Sequence, residues 1–283
     1  MQTETILKTV DFAKKTSIAI CVANISKNKK IHDLKLCDWI TNELKGLPVF
    51  VFDLKKSDNL KDIIAIYAKN FDKFMLIYSN TPLITKKTVL ELFEYVTYKN
   101  CTCCKLPNGI IANTSYFLTN KDLFFDSIYS QNQQDFIQIE SEEQIAYASK
   151  VLMSRIINTH KNNGVIFKNP ESLNISYNAK IGTGSIILAN CNILGKTTIG
   201  KNCIINNNTT IESSKIGDNT SISNSIINKS SIGKDVIVSP YCNIINKSKI
   251  NDNCYIDYYC LIDNYTVKKN TKINERTTLK KTN

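Results

Sequence analysis

The chain has 283 residues, 42% of them apolar and 22% charged, and a formal net charge of +11. That length allows two domains, each with its own core, and the absence of any run of eighteen apolar residues excludes a membrane-spanning helix. The opening MQTETILKTVDFAKK has no basic segment leading into a long apolar stretch, so a cytoplasmic protein with reduced thiols and no membrane partner is expected.

A net positive charge would ordinarily point to nucleic acid or an anionic ligand. Here the lysines are scattered through a chain crowded with Asn and Ile, which reads as compositional bias, and no nucleic-acid partner is expected. The basic end formed by Lys268, Lys269, Lys272, Lys280 and Lys281 reads as a solvated tail.

Along the first half, Ser17–Ala23, Val49–Phe52 and Phe74–Tyr78 are apolar runs of buried-strand length. Helical periodicity covers Asp33–Leu44, Leu60–Asn70 and Thr85–Tyr98. Strands alternating with helices predict an α/β sandwich around a mostly parallel sheet. Cys101, Cys103 and Cys104 have no second CxxC and no nearby His, so they are not read as a zinc site. A last amphipathic stretch, Glu140–His160, carries Ile145, Ala148, Leu152 and Ile156 on one helical face.

From about Asn174 to Lys280 the period changes to six. Aliphatic residues recur at Ile175, Ile181, Ile187, Ile193, Ile199, Ile205 and Ile211, then continue from Ile216 to Ile273. Two positions before them the side chain is mostly small, as in Ala179, Ser185, Thr197 and Thr209. Five of the ten cysteines (Cys191, Cys203, Cys242, Cys254, Cys260) fall at this small position. Neither a helix nor a simple strand has this period, whereas a triangular coil of three short strands does. The expected organisation is an α/β domain over 1–140, a linker helix over 141–162 and a left-handed parallel β-helix over 163–283.

With both halves in view, the chain resembles the bifunctional N-acetylglucosamine-1-phosphate uridylyltransferase / glucosamine-1-phosphate acetyltransferase family (GlmU type). NNGVIFKNPES and KIGTGSIILANCNILGKTTIGKNCIINNNTTIESSKIGDNTSI read like that family's domain junction and first coils. IYSNTPLITKKTVLELF (Ile77–Phe93) is similar to its YGDxPLI segment, and ANTSYFLTNKDLF (Ala112–Phe124) to its NTGIYxF segment. Gln138–Ala146 sits where the family has VNNRxQLA. The resemblance implies a nucleotidyltransferase-like (Rossmann-like) first domain, a sugar-nucleotide ligand and a homotrimer assembled through the β-helix.

It also implies where the chemistry should sit. Uridylyl transfer needs a Gly-rich loop after the first strand to cradle phosphates, but Ala23 to Lys30 reads ANISKNKK, without glycine. Lys27 and Lys29 remain as phosphate-attracting candidates. The magnesium ligands correspond to Asn80 and Glu140, an amide and a carboxylate exchanged, so Mg2+ at this pair is one expectation. Thr81 and Asn113 correspond to substrate-contacting positions, Asn113 to the family's sugar-binding Asn. The acetyltransferase base, a His, corresponds to Glu275, and its Arg and Lys partners to Ile245 and Asp263. The two histidines are His32 and His160, outside the coils, so acetyl-CoA and acetyl transfer are not expected. The resulting reading is a catalytically degenerate GlmU-like protein. A reduced but active sugar-1-phosphate nucleotidyltransferase and a trimeric scaffold for an active paralogue are the alternatives.

Overall fold

A computed structural model describes residues 17–26 and 29–281. The chain forms two compact units, 1–151 and 152–283, and the division falls inside a long helix.

The first unit contains β1 (Ile18–Asn24), β2 (Lys30–Ile31), β3 (Leu34–Lys35), α1 (Leu36–Glu43), β4 (Val49–Asp53), α2 (Leu60–Ala68) and β5 (Lys73–Tyr78). They are followed by α3 (Lys86–Tyr98), β6 (Cys103–Leu106), β7 (Gly109–Asn113), α4 (Thr114–Thr119), β8 (Ser127–Ile128) and the long α5 (Glu142–Asn162). The sheet order is β4-β1-β5-β7-β6-β8. β1 is parallel to β4 and β5, but β7 is antiparallel to both β5 and β6. The sheet is therefore mixed.

Both sheet faces are covered. Ile18, Ile20, Val22, Met75 and Ile77 join one core with Phe93, while Ala19, Cys21, Phe74 and Leu76 join a second with Phe117. This two-sided burial explains why β1 and β5 read as continuous apolar runs. Asn59 caps α2 by accepting from the Lys61 amide, and Thr85 caps α3 by accepting from the Thr88 amide.

The structure changes two expectations and places the cysteine cluster. The helix expected from Asp33 begins at Leu36, because Lys30–Ile31 and Leu34–Lys35 pair as a short antiparallel hairpin turning on His32 (φ 53°). The cysteine cluster belongs to β6 and its approach: Cys103 faces one core, while Cys101 and Cys104 face the other. Alternating strand geometry thus points Cys103 and Cys104 to opposite faces, and burial pushes both thiols up to about 11. The last lysines form no loose tail. Lys272 pairs in register with Tyr255, its Nζ 5.5 Å from the ring centroid, and Lys280 ends a strand paired with Leu261–Asp263.

The hairpin between β6 and β7 requires its glycine. Gly109 has φ 134°, and a Cβ there would lie 2.0 Å from the Leu76 carbonyl oxygen.

The second unit is the left-handed parallel β-helix. Three parallel sheets of seven, six and seven short strands run along it. The first face stacks Ile175, Ile193, Ile211, Ile227, Ile244, Ile262 and Leu279. The second stacks Ile181, Ile199, Ile216, Ile232, Ile250 and Val267, and the third runs from Phe167 through Ile187 and Ile205 to Ile273. Most of these side chains are buried.

The small position has a polar task as well as a steric one. Ser185, Thr220, Ser225 and Ser248 each donate to a carbonyl of the next coil at 2.8–3.1 Å. The thiols of Cys191, Cys203, Cys242, Cys254 and Cys260 do the same at 3.0–3.2 Å. Cysteine here is a corner donor, buried and free of disulfides.

The corners also account for the Asn content. Ten asparagines from Asn169 to Asn270 adopt positive φ, the conformation that Asn tolerates better than other residues with a Cβ. At another corner Gly182, Gly200, Gly217 and Gly233 stack, and a Cβ on Gly217 would lie 2.5 Å from the Gly233 carbonyl carbon.

Among the described residues no helix is long and apolar enough to cross a membrane.

Candidate functional site

β1, β4 and β5 are parallel, so their carboxyl ends and the loops leaving them share one edge of the sheet. Ligands of open α/β sheets bind outside such ends. A polar chain links the three strands. Ser79, one residue past β5, donates its amide to the Ala23 carbonyl at 2.9 Å and its hydroxyl to Asn24 Oδ1 at 3.2 Å. Asn24 Nδ2 in turn donates to Asp53 Oδ1 at 2.8 Å.

This chain fixes the first residue after β1. The Ile25 amide donates to Ser79 Oγ at 3.1 Å, so the first N–H of the loop points into the protein rather than toward a phosphate. The Lys29 amide is also committed, donating to Ser26 O at 3.1 Å. The Lys29 side chain is exposed, and Lys27 lies outside the described residues.

Asn80 is 6% exposed. Its Oδ1 accepts from Asn108 Nδ2 at 3.1 Å, and its carbonyl accepts from the Ile139 amide at 2.7 Å. Glu140 therefore begins one residue from a direct bond to Asn80. Its carboxylate is exposed, and its amide donates to Gln144 Oε1 at 2.8 Å. Ser141 also donates its amide to Gln144 Oε1 at 2.9 Å and its Oγ accepts from the Gln144 amide in return, the reciprocal pattern that starts α5. Thr81 is wholly buried, its hydroxyl donating to the Tyr78 carbonyl at 2.7 Å.

Asn113 lies elsewhere. β7 runs antiparallel to β5 and pairs Asn113 with Lys73, the first residue of β5. That places it at the opposite end of the strand from Asn80, roughly 20 Å away at 3.3 Å per residue. There its Oδ1 accepts from the Tyr116 amide at 3.2 Å and from the Ser115 hydroxyl at 2.7 Å, capping α4. The residue that the fold delivers to Asn80 is Asn108, in the turn before β7. The order Asn108-Gly109-Ile110 ahead of a strand is the signal for it in the sequence.

The site thus presents neutral amides at its centre. Mg2+ asks for near-octahedral oxygen ligation, usually with one or two carboxylates. Here the side-chain oxygen of Asn80 already accepts from Asn108, and among the described residues no three or more His, Cys, Asp or Glu converge as a metal site. These residues do not fit a resident Mg2+ ion. Along β4 and α2, at the outer edge of the sheet, a hollow of about 910 Å3 is lined by Asp53, Asp58, Asp62, Asn59 and Tyr67. Its aspartates would repel a triphosphate rather than cradle it.

In the β-helix, Asp263 accepts from Asn246 Nδ2 at 2.7 Å and lies 4.0 Å from Lys280 Nζ. Ile245 pairs with Asp263 across neighbouring coils, and Glu275 is exposed. The two histidines are engaged elsewhere: His32 Nε2 lies 3.0 Å from Ser149 Oγ, and burial lowers the pKa of His160.

Residues 178–213 match the family described as bacterial transferase hexapeptide (six repeats). Over 203 residues the chain is 33% identical to the bifunctional protein GlmU of Listeria monocytogenes serotype 4a (strain HCC23), covering 72% of this chain and 42% of the relative. The chain is GlmU-like over this span. Identity to the GlmU of Clostridioides difficile (strain 630) is 29% over 200 residues, covering 70% of this chain and 43% of that protein. The chain thus spans about two fifths of the length of the curated relatives it matches. Among solved structures, the acetyltransferase domain of PglB from Neisseria gonorrhoeae FA1090 aligns with 90% of this chain and 96% of its own, at 9% identity and a TM-score of 0.37.

Proposed function

We propose that this GlmU-like chain binds a sugar nucleotide of the UDP-N-acetylglucosamine type at the carboxyl ends of β1 and β5 without turning it over. It would serve cell-envelope precursor synthesis as a degenerate, homotrimeric relative of the bifunctional enzyme. The observation that carries this reading is the Asn80–Asn108 pair beside a loop whose first amide is turned inward to Ser79. Neutral amides suit a hydroxyl- and amide-bearing sugar, whereas nucleotidyl transfer depends on charge neutralisation at the phosphates.

The neighbourhood of Asn80 and Glu140 favours a second reading, a reduced but active uridylyltransferase in which Mg2+ arrives with the nucleotide. A partner role beside an active paralogue is compatible with the binding reading. In it, the trimer contributes structure and the paralogue contributes chemistry.

The test is pyrophosphate release from UTP and N-acetylglucosamine 1-phosphate with Mg2+. The expected rate equals that without protein. Mg2+-dependent release that disappears in Asn80→Ala would establish the active reading instead. Acetyl-CoA consumption with glucosamine 1-phosphate, followed in the same preparation, is expected to be nil. Turnover there would give the β-helix a catalytic role through a base other than His, with Glu275 the first residue to replace.

A further inference from the structure

The mixed sheet of the first unit ends in two unlike edges. β8, at one end, is two residues long, and an edge so short offers little to an approaching strand. β4, at the other end, is five residues long, and among the described residues it pairs with β1 alone. Proteins usually blunt an edge of that length with a lysine, a proline or a bulge. Val49–Asp53 reads VFVFD in unbroken register with β1 and has none of the three.

The bonds that bracket β4 show which of its backbone groups are spare. The Ile20 amide donates to the Pro48 carbonyl at 2.8 Å, and the Leu54 amide donates to the Asn24 carbonyl at 3.2 Å. Successive residues of a strand direct their N–H and C=O to opposite sides. The even-numbered residues therefore serve β1, and the amide and carbonyl of Val51 face away from it.

Along this edge runs the hollow between β4 and α2. Its floor is apolar: Phe52 and Tyr67 stack at 5.6 Å with ring planes 13° apart, and Val51 and Ile66, 41% and 70% exposed, line the same space. Asp58 and Asp62, both exposed, line it too, whereas their neighbours Lys55, Lys56 and Lys61 do not. In a chain of net charge +11 this is a local reversal of sign.

We propose that the β4 edge takes up an extended segment of a partner protein as one more strand, with an apolar and a basic side chain two positions apart entering the hollow. The inference goes beyond the sugar-nucleotide reading and does not depend on it. Strand addition draws affinity from main-chain hydrogen bonds and selectivity from alternate side chains, and residues two apart share one face of a strand. The apolar floor selects the first of those side chains, and Asp58 and Asp62 select the second. Charge also decides against a second copy of this chain at the same edge. Two copies meeting there would set Asp58 and Asp62 against their own counterparts, and VFVFD brings no basic residue to offset them.

Twelve-residue peptides displayed on phage and panned on the full chain test this. The recovered sequences are expected to share an apolar residue with Lys or Arg two positions away. A synthetic copy of the most frequent one should slow hydrogen exchange across Val49–Asp53 at least tenfold, read by mass spectrometry. Its affinity should fall at least tenfold in Asp62→Lys and in Ile66→Lys, both at exposed positions where far-UV circular dichroism should stay unchanged. No enrichment, or binding that both variants leave intact, would overturn the proposal. Protection of Val49–Asp53 that rises with protein concentration in the absence of peptide would overturn it as well, by giving the edge to a second copy.

Discussion

Ile211→Ala is expected to destabilise the β-helix by about 2–5 kcal/mol, the usual cost of deleting a large buried aliphatic side chain. Ile211 is wholly inaccessible and stacks between Ile193 and Ile227, one coil to either side. A coil touches only its neighbours, so no distant contact can compensate for the cavity. The same change at Ile273, half-buried in the last coil of the third face, should cost less than about 1 kcal/mol, since less apolar area leaves contact. Denaturant titration of both variants separates the two values. Equal losses would mean that the column is not the source of stability.

The second large effect is expected at the strand-end site. Asn108→Ala removes the donor to the Asn80 amide oxygen. A buried acceptor left alone costs about 1–3 kcal/mol. If the pair forms the sugar-facing surface, affinity for UDP-N-acetylglucosamine should fall at least tenfold. Asn113→Ala provides the contrast. It removes the cap of α4, worth about 1 kcal/mol, from the far end of β5, and should leave affinity unchanged. Isothermal titration of the two variants distinguishes them. The opposite pattern, with Asn113 mattering and Asn108 not, would move the ligand to the other end of the sheet.

Much of this architecture was legible in the sequence because its signals are periodic. A six-residue beat of isoleucine admits few solutions, and the structure puts Ile175 to Ile273 on three inward columns as that beat requires. The ends of the columns were harder to read. Phe167 and Leu279 complete two of them, but Phe167 lies twenty residues before Ile187, off the repeat. Composition alone left two features unread. The Asn content that reads as bias supplies the positive-φ corners, and the final lysines occupy coils instead of a tail.

The first domain was half legible. β1, β4 and β5 declare themselves as apolar runs, but Cys103–Leu106 and Gly109–Asn113 are short strands whose pairing rests on one turn signal, Asn108-Gly109. Without that hairpin the direction of β7 is unknown, and direction decides which asparagine reaches the strand ends. Asn108 reaches Asn80, and Asn113 caps a helix at the other end.

The claim that this chain binds a sugar nucleotide without nucleotidyl-transfer chemistry is tested most directly by thermal unfolding with UDP-N-acetylglucosamine, once in EDTA and once in Mg2+. The account predicts the same stabilisation in both, about 2.7 kcal/mol at a hundred times Kd. Stabilisation that appears only with Mg2+, or none in either, would contradict it.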